Sequence, residues 1–128
     1  MPSSNFDFLA DTAPDLHEIA ASAEALLHTD PAACLGKLRT FAERCTKTYV
    51  RTQYVPTQWN DLSQYDRLER LEARSELSRS ILNQMHRIRK KGNRAVHDNE
   101  GSLREANQQL RNAHKVAVWL QAEVFNKP

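Results

Sequence analysis

The chain has 128 residues, of which 40% are hydrophobic and 27% charged. That balance suits one globular domain with a buried core and excludes an intrinsically disordered chain. Three glycines and five prolines argue against a loop-rich all-β fold and against a glycine-rich phosphate cradle. No apolar run approaches the ~18–20 residues that span a bilayer, and the opening Met1-Pro2-Ser3-Ser4-Asn5 lacks a basic segment followed by an apolar one.

The apolar spacing is helical nearly throughout. Thr12 is placed to cap a first helix, with Pro14 in its opening turn and Leu16, Ile19, Ala20, Ala23 and Leu27 on one stripe. Asp30-Pro31 is a second start signal. Cys34, Leu38, Phe41, Cys45 and Tyr49 then step by three or four, predicting a long helix to about residue 52. The stretch from Tyr54 to Asn60, around Pro56, breaks the period and reads as a connector. Asn60 or Asp61 then caps a short helix through Leu62, Tyr65, Leu68 and Leu71, and a turn falls in the polar stretch from Glu72 to Glu76. A fourth helix follows through Leu77, Ile81, Met85 and Ile88, with Gly92 read as the residue that ends it. Ser102-Leu103-Arg104-Glu105 is a capping box. It opens a last helix whose stripe is Leu103, Ala106, Leu110, Ala113, Ala117, Leu120 and Val124. The expected fold is all-α: a single bundle of about five helices covering residues 1–128.

Cys34 and Cys45 lie eleven residues apart, about 16 Å along one helix, whereas a disulfide needs Cα atoms within ~7 Å. They are read as two buried free thiols in a reducing cytoplasm. No histidine pair has metal-ligand spacing with an acidic third member, so no metal site is expected. There is no G-x-x-x-x-G-K-[ST], G-x-S-x-G or H-E-x-x-H motif, and no Ser-His-Asp or Cys-His set, so the segment reads as neither a nucleotide hydrolase nor a protease.

The net charge of +2 hides an asymmetry: residues 1–33 hold six acids and no Lys or Arg, and the rest holds all 18 bases. Five of these bases, Arg87, Arg89, Lys90, Lys91 and Arg94, fall within eight residues. They are the candidate nucleic-acid-binding residues. Bases of this kind contact phosphate and supply affinity without sequence choice. The alternative is a solvated helix end that complements the dipole. His97 follows Asn93 by four residues, and a His with a polar orienter and nearby cations suits general acid–base work on a 2′-hydroxyl. His97, Asn93 and Lys91 are therefore the ribonuclease candidates. The competing reading is a His and Asn that tie a helix break together. Trp119 is expected at the core rim, and Trp59, in a polar loop, is a candidate partner contact.

Three segments carry a family likeness: Ser4-Asn5-Phe6-Asp7-Phe8-Leu9, Leu38-Arg39-Thr40-Phe41-Ala42-Glu43-Arg44, and the run from Met85 to His97 that includes Gly92-Asn93-Arg94-Ala95-Val96-His97. Together with Ala117-Val118-Trp119-Leu120 they resemble the N-terminal helical domain of the restriction (R) subunit of type I restriction-modification enzymes, and DEAD/DEAH-type helicases carry a similar leader. The resemblance implies a longer parent chain with a PD-(D/E)xK-type nuclease and an ATP-dependent DNA motor, using ATP and Mg²⁺ outside this segment. The implied partners are the remaining domains of that chain, its modification and specificity subunits, and DNA. The domain is also similar to the HEPN group, whose nucleases use R-x(4–6)-H. Here Lys91 holds that spacing, while Arg94 and Arg89 stand three and eight residues before His97. The leading expectation is a non-catalytic accessory domain that docks to the parent enzyme and touches DNA. A HEPN-like RNase or toxin domain and a pure protein-interaction module are the alternatives.

Overall fold

The computed structural model describes residues 4–125. Residues 1–3, three of the five read above for a leader, and residues 126–128 at the other end lie outside the described residues. The described chain is all-α, with five helices and no strand. They are α1 (Pro14–Ala25), α2 (Pro31–Thr52), α3 (Gln64–Ala73), α4 (Arg79–Asp98) and α5 (Leu103–Val124), with short 3-10 turns at Asp7–Leu9 and Thr57–Asp61. No helix among the described residues is long and apolar enough to cross a membrane.

Helix α2 is the centre of the bundle and packs on α1, α4 and α5; α4 also packs on α5, and α3 rides on α4 beside the second 3-10 turn. Its nine buried residues, from Cys34 to Val50, span both the α4 and the α5 side. The start is fixed as the sequence predicts: Pro31 is the first helical residue and the Asp30 carboxylate accepts from the Ala33 N–H at 3.1 Å. At α5 the capping box is closed in both directions, Ser102 Oγ accepting from the Glu105 N–H and Glu105 accepting from the Ser102 N–H. The family-like opening works as a plug. Phe6 and Leu9 are fully buried, and Phe6 meets Phe41 and His114 edge-on, each at 5.7 Å. Asp7 accepts from the Ser4 N–H and contacts His17 Nε2 at 2.8 Å.

Several local expectations are corrected. Ala13 occupies the N-cap of α1, and the Thr12 hydroxyl reaches Gln121 instead. Ser63, not Asn60 or Asp61, caps α3, because residues 57–61 close a 3-10 turn of their own. Gly92 does not end α4. The helix runs six residues further, and Asn99, at φ 52°, takes the left-handed position at its end. Gly92 is there because α2 crosses at that point: a Cβ would sit 2.4 Å from Arg39 Cβ and 3.1 Å from the Leu35 carbonyl. Trp59 is buried rather than offered to a partner, and Arg74 lies over its ring at 5.6 Å. Trp119 is half-buried at the rim against Tyr49, 5.2 Å between ring centres. Cys34 and Cys45 are both buried and free. Burial, with Glu24 nearby, pushes the Cys34 thiol up to about 11, and burial alone raises Cys45.

Candidate functional site

Because α4 is unbroken through Gly92, its five bases can be placed by helix phase. Arg87, Lys90, Lys91 and Arg94 share the side away from the core, while Arg89 falls on another side, towards α3. There its guanidinium lies 5.0 Å over the Tyr65 ring, and its Nε and Nη2 stand 3.4 and 3.3 Å from His86 Nδ1. Burial and then the Arg89 charge hold His86 below the usual imidazole range.

On the α5 side, Lys91 Nζ donates to Glu105 Oε2 at 2.6 Å. Arg94 Nη2 donates to Glu100 Oε2 at 2.8 Å, and its Nη1 stands 3.9 Å from Glu105. The Glu105 carboxylate is thus both the return half of the capping box and the counter-ion of α4. Lys91 first, then the Ser102 N–H, hold its pKa below the ordinary 4.5. Two of the five bases therefore spend their field on acids of the same chain. Arg87 and Lys90 are exposed and make no ion pair among the described residues.

The depressed Glu105 pKa fixes a pH dependence. A carboxyl with a lowered folded pKa contributes stability in full above its unfolded value, and loses it as the pH falls through the folded one. Thermal melts from pH 7 to pH 3 are expected to show stability falling below about 4.5. Glu105→Gln keeps a capping side chain but no charge, so it should melt lower at pH 7 and show a shallower acid limb. Identical acid limbs in the two proteins would remove Glu105 from this role.

The three ribonuclease candidates are not brought together. Asn93 and His97 share a face of α4, but Lys91 lies about 160° around the helix from Asn93 and is turned to Glu105. The residue that does meet Asn93 is Arg39 of α2, whose Nη1 donates to Asn93 Oδ1 at 2.9 Å. His97 is exposed and has no side-chain hydrogen bond among the described residues, so it ties no break in the helix. The Arg39 Nε is buried without a partner. No signal in the local pattern joins Arg39 to Asn93, fifty-four positions apart; the pair exists only because Gly92 lets α2 and α4 cross closely. Arg67, fully buried beneath the second 3-10 turn, is the other polar residue that periodicity does not reveal.

The chain is 34% identical to the type I restriction enzyme EcoKI endonuclease subunit of Escherichia coli (strain K12), over 93% of its own length and 10% of that protein. It thus spans about a tenth of the curated relative it matches. No solved structure matches it. Residues 21–126 match the family described as a domain of unknown function, DUF4145, a stretch that takes in four of the five helices whole and the last five residues of α1. On that match the chain belongs to the DUF4145 family.

Proposed function

We propose that the chain is an accessory helical domain of a type I restriction endonuclease subunit, which docks to the rest of that enzyme and makes electrostatic contact with DNA. The observation that carries the reading is the 34% identity over 93% of the chain to such a subunit. The match takes in nearly the whole length of the chain, so it concerns a whole folded unit. Arg87 and Lys90 are the α4 bases open to phosphate, with Arg89, Lys91 and Arg94 supporting them from within their own contacts.

ATP and Mg²⁺ belong, in this reading, to other parts of the parent enzyme. The residues described here do not fit them. No group of three or more His, Cys, Asp or Glu is placed to hold a metal ion among the described residues. Gly36 and Gly92 lie inside helices, and Gly101 packs on Ala32 and Leu35 rather than opening a phosphate loop.

A segment exchange tests the proposal. Deleting the matching segment from the Escherichia coli subunit is expected to lower restriction of unmodified phage in cells, and inserting the present chain in its place to restore part of it. Full restriction by the deleted subunit would sink the docking role.

A further inference from the structure

We infer that the outer ridge of α2 is a second phosphate-binding surface, built for the backbone of duplex DNA and more open than the basic run of α4. Helix α2 carries five bases and one acid. Lys37, Arg44 and Arg51 recur every seven residues, so they drift only about 40° over two heptads, and Lys47 falls beside them. The four cations cover about 21 Å of a straight helix at 1.5 Å per residue.

Their surroundings separate them from the α4 bases. Lys37, Arg44 and Arg51 are exposed and make no ion pair among the described residues, and Lys47 has only a loose contact with Glu43 at 3.6 Å. The Thr48 hydroxyl donates to the Arg44 carbonyl and accepts from Arg51 Nη2 at 3.2 Å, which holds the Arg51 guanidinium along the ridge. The Thr40 hydroxyl also turns back, to the Gly36 carbonyl. The ridge is therefore low between its charges: Thr40 and Thr48 leave room for a backbone to lie across it. A shallow cleft beside it runs to the start of α1, where Asp15 forms no ion pair with Arg44, Lys47 or Arg51 among the described residues.

The partner follows from what the ridge lacks. A protein interface is anchored by buried aromatic or aliphatic side chains. The exposed large hydrophobics here, Phe8, Tyr54, Tyr65, Val96, Leu103 and Val118, all lie off α2. A row of fixed cations without apolar anchors fits a regular polyanion instead. Duplex DNA as that polyanion rests on the role proposed above; the placement of the cations does not.

The test is a titration of the 128-residue chain with a short duplex of arbitrary sequence. About four neutralised phosphates give a slope of log K against log salt near −3.6, so affinity should fall roughly 150-fold between about 50 and about 200 mM salt. The double variant Arg44→Gln/Arg51→Gln should flatten the slope by about two, so that the same change in salt weakens binding only about tenfold. Its circular dichroism and melting temperature should match the wild type, because the altered side chains are exposed. Arg87→Gln/Lys90→Gln, the matching change on α4, should flatten the slope less. Three results would overturn the inference: no binding at about 50 mM salt, loss of slope in the α4 variant but not the α2 variant, or equal competition by polyglutamate at equal charge. The segment exchange is independent of all three, since a domain that docks without touching DNA would still restore restriction.

Discussion

Gly92→Ala is expected to lower stability by about 2 kcal/mol, while Gly36→Ala raises it by up to about 1 kcal/mol. Both glycines lie inside helices, where alanine is ordinarily preferred by about 1 kcal/mol. The sign is set by the neighbours. At Gly36 the nearest atom to an added Cβ is Val96 Cγ2 at 3.4 Å, an ordinary contact. At Gly92 it is Arg39 Cβ at 2.4 Å, with the Leu35 carbonyl at 3.1 Å. Neither is the free end of a flexible side chain, so α2 and α4 must move apart. That movement loosens the largest helix–helix contact in the bundle and lengthens the Arg39–Asn93 bond. Gly92→Val adds two more carbons at the crossing and should cost about 3 kcal/mol or more. Urea unfolding of the three variants measures all of this. An increase in stability at both alanine positions would mean that α4 does not pack this closely on α2.

The same glycine marks where local reading stops. Helix number, the Asp30 cap and the Ser102–Glu105 box were legible because each rests on residues within one turn of another. Gly92 follows a run of bases, which is what a helix end looks like, but the αL position that favours glycine fell to Asn99. What keeps Gly92 inside α4 is a neighbour more than fifty positions away in sequence. Trp59 was hidden for a related reason. Its polar flanks suggest a loop, yet the 3-10 turn at Thr57–Asp61, which packs on α2 and α3, buries the ring under Arg74.

Charge was legible in a different way. Five bases within eight residues of α4 look like the strongest field in the chain, but a helix spreads neighbours around its circumference. Arg89 goes to Tyr65, while Lys91 and Arg94 meet Glu105 and Glu100. The bases of α2 are spread over fifteen residues, and four of the five share one ridge. Phase, not density, decides how much field reaches a partner. The phase of α2 could have been read from its apolar stripe; the acids that quench α4 lie across a turn and on another helix, and could not.

Arg67→Ala should destabilise the chain by about 3 kcal/mol, and Arg67→Met by about 1 kcal/mol. Arg67 is fully buried, and its Nη1 donates to the Leu62 carbonyl at 2.6 Å and the Trp59 carbonyl at 3.3 Å. These bonds tie the end of the second 3-10 turn to α3. The remaining guanidinium atoms are poorly served. Nε and Nη2 have no hydrogen-bond partner, and Glu43 stands 3.9 Å from Nη2. Burial pulls the arginine pKa down, and Glu43 opposes that only in part. Alanine removes the two bonds, strands the Leu62 carbonyl and leaves a cavity, while the Trp59 carbonyl keeps the Leu62 N–H at 3.2 Å. Methionine strands the same Leu62 carbonyl but fills the volume and relieves a desolvated charge, which is why its loss is smaller. The Trp59 indole is a local reporter, since it sits beneath the carbonyl that Arg67 holds. Its emission should shift to the red in Arg67→Ala before global unfolding begins, and the shift should be weaker in Arg67→Met. Equal losses for the two variants would assign the effect to the guanidinium bonds alone rather than to volume. No loss in either would mean that the turn is held by Trp59 and Leu62 packing, without help from the buried charge.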